Sequence, residues 1–170
     1  MPKSRPTAGV LCDTSFLVSL NRPKEALHGN ARGYLKYLMA AQTPLYVSTI
    51  ALAEYSVRDV IANLPMRYLR VLPFNIDHAQ RAGEFARIAF SKRNQLPADP
   101  MQRVIIPNDT KMFAQADVDP AITYYLTGDE KCEKVDRLIR EETHVGFEIL
   151  PLAVPHHQAF GELHLGDGAS

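Results

Sequence analysis

Four acidic residues lie near the ends of short apolar segments. Asp13 and Asp129 end or follow predicted strands, Glu54 lies in the predicted helix after the second strand, and Asp109 follows the apolar run VII. Asp13 interrupts the apolar run VLCDTSFLVSL, where a carboxylate is costly to bury unless another group pairs with it. The four acids come from well-separated parts of the chain, so only the fold can bring them together. Such a fold would gather four carboxylates at one site.

Carboxylates that gather within a few ångströms raise each other's pKa values unless a cation compensates their charge. Mg²⁺ and Mn²⁺ prefer oxygen ligands and keep positions for water and for the phosphate oxygens of a substrate. Such an ion can activate a water molecule and stabilise charge on a leaving oxygen. With no histidine or cysteine assumed among the ligands, zinc is the less natural ion.

Each acid taken alone has a simpler interpretation. Asp13 or Asp109 could be the N-cap of a helix, since aspartate is a preferred residue there. Asp129, in the sequence TGD, could be a turn residue, and Glu54 could lie on a solvated helix face. Only the coincidence of all four at one edge of a sheet favours a joint site.

Short apolar strands alternate with helical patterns along the chain, which predicts βαβ units and an α/β fold with a mostly parallel central sheet. In such sheets ligands bind at the carboxyl ends of the strands, where the four acids fall. The predicted strands are Val10–Cys12, Leu45–Ser48, Arg70–Asn75, Ala121–Asp129 and Gly146–Leu152. The longer helical patterns are Pro23–Gln42, Ile50–Ile61, Ile76–Asn94 and Glu130–Glu142.

Local sequence signals predict where two further helices begin. Thr14 or Ser15 can cap a helix that follows the first strand. Another helix is predicted to begin near Asn108 or Asp109, after a loop at Gln95–Arg103 that two prolines interrupt. We expect residues 1–8 to be disordered, residues 9–154 to form one domain and residues 155–170 to be a tail without a pattern.

Composition excludes several classes of protein. The 19 basic and 19 acidic residues give zero net charge, which argues against a strongly basic nucleic-acid coat. Two distant cysteines predict free thiols in a reducing cytoplasm rather than a disulfide framework. The first residues lack the apolar core of a signal peptide, and no apolar run is long enough for a membrane helix. We therefore expect a cytoplasmic protein with no membrane segment.

Together, the segments VLCDTSFLV, VSTIALAEY, NDTKMFAQA and YYLTGDEK resemble the four motifs of the PIN domain, especially of the VapC-type toxin ribonucleases. The resemblance spans most of the chain. It implies a three-layer α/β/α fold and a Mg²⁺- or Mn²⁺-dependent endoribonuclease of the kind that serves as the toxin of a toxin–antitoxin pair. It departs from the family pattern at Cys132, where relatives usually carry an aromatic residue, and at Phe113, where they carry a small one.

The resemblance also implies roles for individual residues. The four acids would be the catalytic residues, with Asp13, Asp109 and Asp129 as metal ligands and Glu54 as a further ligand or a partner of a metal-bound water. Thr14, Ser15 and Thr127 would support them through hydrogen bonds. No protein nucleophile is needed, because water attacks the phosphorus atom.

Basic residues near the predicted site bear on the substrate, and the resemblance bears on the substrate and the partners. Lys111 and Lys131 could contact RNA phosphates, although a solvated helix face is the simpler interpretation for either lysine. The family implies a small antitoxin protein as partner and a homodimer. Two alternatives remain: a non-catalytic PIN-like module that binds RNA or protein, and a phosphatase with Asp13 as nucleophile. The phosphatase usually needs a second aspartate two residues later, where Ser15 stands.

Overall fold

Five parallel strands form the central sheet of the computed structural model, which describes residues 8–96, 98 and 102–161. The strands are β1 (Gly9–Cys12), β2 (Leu45–Ser48), β3 (Leu69–Leu72), β4 (Ile122–Thr127) and β5 (Glu148–Pro151). They are ordered β3-β2-β1-β4-β5, and every neighbouring pair is parallel. Because all strands run the same way, their carboxyl ends meet at one edge of the sheet.

Helices cover both faces of this sheet and complete a three-layer α/β/α fold, as the sequence predicts. In the described part of the chain the α-helices are α1 (Thr14–Asn21), α2 (His28–Ala40), α3 (Thr49–Tyr55), α4 (Ile76–Ser91), α5 (Gln102–Val118), α6 (Glu130–Arg140) and α7 (His156–Ala159). The first two pack on each other, whereas α4, α5 and α6 pack together. None of the described helices is long and apolar enough to cross a membrane.

The central strand explains the apolar run on either side of Asp13. Val10, Leu11 and Cys12 in β1 have no exposed surface, because strands flank β1 and helices cover both of its faces. A strand buried on both faces reads as continuous apolar sequence rather than as an alternation. Phe16 and Leu17 then continue the core from α1. This burial fixes the point at which the chain leaves the sheet toward Asp13.

The start of α5 corrects one prediction. The helix begins at Gln102 rather than near Asn108 or Asp109, so Pro107 lies inside it. Proline removes one helical hydrogen bond and usually marks a helix start. Here Ile106, which precedes Pro107, is fully buried, and this tertiary packing outweighs the local penalty. Asp109 is therefore an interior helix residue, and its interpretation as an N-cap is wrong.

Another predicted helix is shorter than its apolar pattern. The pattern from Ile50 to Ile61 predicts one helix, but α3 ends at Tyr55 and a 3₁₀ turn covers Ile61–Asn63. Val57 and Val60 are 79% and 62% exposed, so the later apolar positions do not form a buried stripe. Of the predicted loop Gln95–Arg103, residues 97 and 99–101 lie outside the described residues, and the last two residues belong to α5.

The stretch after Pro155 packs on the domain, although its sequence shows no usable pattern. Phe160 stacks on Tyr37 of α2, with 5.0 Å between the ring centroids. Just before it, the Tyr34 hydroxyl donates to the Val154 carbonyl oxygen at 2.8 Å. The predicted tail therefore begins with α7 and is packed at least as far as Phe160, whereas residues 162–170 and residues 1–7 lie outside the described residues.

We predict that Gly9→Ala destabilises the protein. A Cβ atom at Gly9 would lie 2.3 Å from the Ala121 carbonyl oxygen and 2.8 Å from a ring carbon of Tyr46. Overpacking against backbone should cost about 2–3 kcal/mol. Thermal unfolding should show a lower Tm, whereas the control Gly83→Ala, in open space on α4, should gain about 0.5–1 kcal/mol. An unchanged Tm for Gly9→Ala would contradict this packing.

Candidate active site

The fold brings the four acids into one electrostatic environment at the carboxyl edge of the sheet. Asp13 follows β1 directly, and Asp129 follows β4 after one glycine. Glu54 lies in α3, which follows β2, and Asp109 lies in α5. Burial raises the pKa of Asp109 well above its ordinary value, and the charges of the other three acids raise it further. The four acids therefore interact although they come from separate units of the chain.

Three donors hold the buried carboxylate of Asp13. Its Oδ1 accepts a hydrogen bond from the Thr14 backbone N–H at 2.7 Å. Its Oδ2 accepts from the Thr127 hydroxyl at 2.7 Å and from the Ser15 hydroxyl at 3.0 Å. Burial still raises the pKa of Asp13, against the opposing effect of these hydrogen bonds. Asp13 is also the N-cap of α1, so the cap belongs to Asp13 and not to Thr14 or Ser15.

The hydroxyls of Ser15 and Thr127 connect Asp13 to the end of β4. Ser15 Oγ accepts from the Gly128 N–H at 2.8 Å, and Thr127 Oγ1 accepts from the Asp129 N–H at 3.1 Å. Gly128 has little room for a side chain, since a Cβ there would lie 3.1 Å from a methyl carbon of Leu27. The network fixes the backbone that carries Asp129 relative to Asp13.

Both oxygens of Glu54 accept hydrogen bonds from other elements. Thr14 Oγ1, at the start of α1, donates to Oε2 at 2.5 Å. Asn108 Nδ2, from α5, donates to Oε1 at 2.8 Å. Glu54 is half-buried, and these two donors orient its carboxylate. The interpretation of Glu54 as a merely solvated helix residue is therefore wrong.

Asp109 differs from the other three acids because one of its oxygens is buried without a hydrogen-bond partner among the described residues. Asp109 as a whole is only 9% exposed, which makes an unpaired Oδ2 costly. Asp129, in contrast, is half-buried, caps α6 and accepts from the Lys131 N–H at 2.9 Å. Asp109 thus has an acceptor that is free for a ligand.

The donor set suits a hard divalent cation, although the side chains are not assembled around one. The acids offer only oxygen atoms, as Mg²⁺ and Mn²⁺ prefer, and Asp109 Oδ2 is free. Yet within residues 8–161, as far as they are described, no three His, Cys, Asp or Glu side chains form a group that could hold a metal ion. Binding of an ion by three of these acids would therefore require the carboxylates to move closer together than they stand here.

The sequence offers two lysines as candidate contacts for RNA phosphates. Lys111 is half-buried in α5, two residues after Asp109, and Lys131 is exposed in the first turn of α6, after Asp129. Both therefore lie close in sequence to an acid of the site. A contact with RNA remains a prediction for both residues.

Sequence reasoning missed three polar residues. Asn108 is one, and its only signal is its place beside Asp109. The others are Ser48 and Gln115, whose buried side chains form a 2.5 Å hydrogen bond between the end of β2 and α5. Gln115 Nε2 also donates to the Leu72 carbonyl oxygen at 3.0 Å. A glutamine within the apolar run MFAQA could have indicated such a buried contact.

The two departures from the family pattern fill the core near the site. Phe113 packs edge-on against Tyr125, with 5.1 Å between the ring centroids, and also contacts Phe147. Cys132 is fully buried, and burial followed by the charge of Asp109 raises the pKa of its thiol. Cys12 and Cys132 are both free thiols, as predicted. Neither departure removes an acid from the site.

Comparison with known proteins identifies the fold. No family model matches the chain, and no curated protein matches it by sequence. Among solved structures, VapBC2 from Rickettsia felis bound to a promoter DNA fragment is similar with a TM-score of 0.56 and 16% identity. That match covers 84% of this chain and 97% of the other.

Two further structures agree with this result. The Mycobacterium tuberculosis toxin VapC20, which cleaves the sarcin-ricin loop, matches with a TM-score of 0.52 and 20% identity over 74% of this chain and 94% of its own. DNA-bound VapBC from Salmonella typhimurium matches with a TM-score of 0.53 and 15% identity over 85% of this chain and 98% of its own. The chain has the fold of these toxins, which confirms the PIN-type fold that the four motifs imply.

Proposed function

We propose that this chain, which has the fold of the VapC toxins, is an endoribonuclease that hydrolyses RNA phosphodiester bonds with Mg²⁺ or Mn²⁺. The observation that carries the proposal is the buried, unpaired Oδ2 of Asp109 beside three further carboxylates. A protein does not ordinarily leave such an acceptor empty, and a divalent cation would supply its missing partner. The reaction class is hydrolysis without a protein nucleophile.

The residues of the site would have different roles in the reaction. Asp13, Asp109 and Asp129 would hold the cation, while Thr14 and Asn108 keep Glu54 oriented beside them. The cation would supply positive charge for the phosphate and lower the pKa of an attacking water. The Ser15 and Thr127 hydroxyls would favour the ionised form of Asp13 and fix its position, since both donate to its Oδ2.

RNA is the proposed substrate. VapC20 of M. tuberculosis, which shares the fold, cleaves the sarcin-ricin loop. Lys111 and Lys131, which follow Asp109 and Asp129 by two residues each, are the proposed contacts for RNA phosphates, because each carries a positive charge close in sequence to an acid of the site. These contacts would position the RNA without reading its sequence.

A small antitoxin protein is the proposed partner, and the chain would work as a cytoplasmic toxin. The R. felis and S. typhimurium structures are VapBC assemblies bound to DNA. We extend the antitoxin partner from these neighbours to this chain, together with the homodimer that the family implies. Co-expression with the product of an adjacent small gene, followed by co-purification, would test the partner.

The test of the activity is an RNA cleavage assay. Purified protein should cut a mixed RNA pool in Mn²⁺ or Mg²⁺, and excess EDTA should stop it, because the acids need a cation to act on phosphate. The products are resolved on denaturing gels. A matched preparation of Asp109→Asn controls for contaminating nucleases. If the wild-type protein cut no RNA in either metal, this result would contradict the proposed activity.

One observation favours a second candidate, a non-catalytic module that binds RNA or protein. In the part of the chain that the structure describes, no group of acids is arranged to hold a metal. This candidate expects no metal-dependent rise in Tm, whereas the nuclease expects one. Thermal unfolding with Mn²⁺ and with EDTA separates the two candidates directly.

A further inference from the structure

We infer that Asn108 is a positioning residue for the cleavage reaction, which it serves by holding the Glu54 carboxylate against α5. This inference rests on the proposed nuclease function and adds a residue that the four motifs do not assign. Asn108 Nδ2 donates to Glu54 Oε1 at 2.8 Å, across 54 positions of the chain. Asn108 directly precedes Asp109 in α5, so this hydrogen bond links Glu54 to the helix position next to Asp109.

The contact opposes a repulsion. Glu54 and Asp109 lie close enough for their charges to interact, and like charges would push α3 and α5 apart or turn Glu54 away. Thr14 alone cannot prevent this, because its hydroxyl ties Glu54 to α1 and not to α5. The amide of Asn108 supplies the second tie, and the two donors together leave the Glu54 carboxylate little freedom to rotate.

An amide suits this position better than a charged donor. Lysine or arginine would neutralise Glu54 and compete with a cation for the same charge. Aspartate has nearly the shape of asparagine, but it would place a fifth carboxylate beside the four acids. Asparagine donates a hydrogen bond and leaves the net charge of the site unchanged. Because aspartate fills the same space as asparagine, a loss of activity in Asn108→Asp would indicate that residue 108 positions Glu54 and does not merely fill space.

Steady-state cleavage of RNA by Asn108→Ala and Asn108→Asp tests the inference. The alanine variant should lose about 10-fold to 100-fold in kcat, the usual range for a hydrogen bond to a charged group, with KM for RNA unchanged. The aspartate variant should lose more, despite its matching shape. The control Asn63→Ala removes an exposed amide from a 3₁₀ turn and should cleave like wild type.

A double-mutant cycle with Glu54→Ala decides whether Asn108 acts through Glu54. In the Glu54→Ala background, Asn108→Ala should change the residual single-turnover rate by less than about twofold. Equal losses in both backgrounds would overturn the inference, as would wild-type kcat in Asn108→Asp. Wild-type protein that cuts no RNA would instead overturn the proposed function and this inference with it. Thermal unfolding of each variant verifies that it is folded.

Discussion

Asp109→Asn is expected to abolish metal-dependent RNA cleavage and, in metal-free buffer, to raise the stability of the protein. The asparagine keeps the shape of the side chain but removes a buried charge that burial and three neighbouring carboxylates disfavour. The loss of a carboxylate from the site should lower cleavage by about 10³-fold or more, comparable with the removal of a central catalytic group. One substitution thus separates catalytic need from folding stability.

The raised pKa of Asp109 determines how the stability of the metal-free protein changes with pH. Because the pKa of folded Asp109 lies well above the ordinary 3.8, the folded state binds more protons than the unfolded state between those two values. The free energy of unfolding of the metal-free protein therefore falls as pH rises from about 4 through the folded pKa. The raised pKa of Asp13 acts in the same direction. Asp109→Asn should flatten this fall.

Thermal unfolding in EDTA across about pH 4 to 8 measures the effect. The Tm of Asp109→Asn should exceed that of wild type at neutral pH and approach it in acid. Asp77→Asn, which removes an exposed carboxylate at the start of α4, is the matched control and should change the unfolding free energy by less than about 1 kcal/mol. A Tm at neutral pH below that of wild type would contradict the electrostatic argument.

Mn²⁺ should reverse the order of the two proteins. A cation that binds the folded site at free concentration c stabilises wild type by RT ln(1 + c/Kd), so the free energy of unfolding rises with the logarithm of the cation concentration above Kd. Asp109→Asn lacks one oxygen anion and should gain much less. Equal gains for both proteins would place any metal binding elsewhere than at Asp109, which would contradict the proposed site.

The sequence predicts the sheet and the approximate place of the acids, because both depend on local patterns. Leu45–Ser48 is predicted and observed with the same bounds, and Val10–Cys12 is extended by one residue. Once strands alternate with helices, parallel pairing follows, and the carboxyl ends of β1 and β4 lie at the same edge of the sheet. The sequence therefore predicts that Asp13 and Asp129 share this edge, whereas the direct pairing of β1 with β4 is seen only in the structure.

The details that sequence reasoning misses all depend on contacts between distant residues. The early start of α5 follows from the burial of Ile106, which outweighs the local effect of Pro107. The packing of α7 depends on Tyr37, more than 100 residues earlier in the chain. The partner of Asn108 is set by the approach of α3 to α5. No local sequence pattern determines these contacts between distant residues.

Asp13→Ala is expected to lower the free energy of unfolding by about 2–4 kcal/mol and to abolish cleavage. The substitution removes the cap of α1 and the acceptor for the Thr127 and Ser15 hydroxyls. It also relieves the burial of a charge, whose cost the raised pKa of Asp13 reflects. The lost hydrogen bonds should outweigh that relief, because the cap N–H of Thr14 has no second acceptor among the described contacts.

Asp13→Asn separates the two roles of this residue. Its amide oxygen can accept from the Thr14 N–H, and its amide nitrogen can donate to the Ser15 and Thr127 hydroxyls, which rotate to accept. We therefore expect a Tm within about 5 °C of wild type, where Asp13→Ala should lose roughly 5–15 °C. Cleavage should be lost in both variants, because both lack the charge that a cation needs. If Asp13→Asn still cleaved RNA, the role of Asp13 would be limited to capping α1. If its Tm were as low as the Tm of Asp13→Ala, the Ser15 and Thr127 hydroxyls would be unable to rotate and accept from the amide.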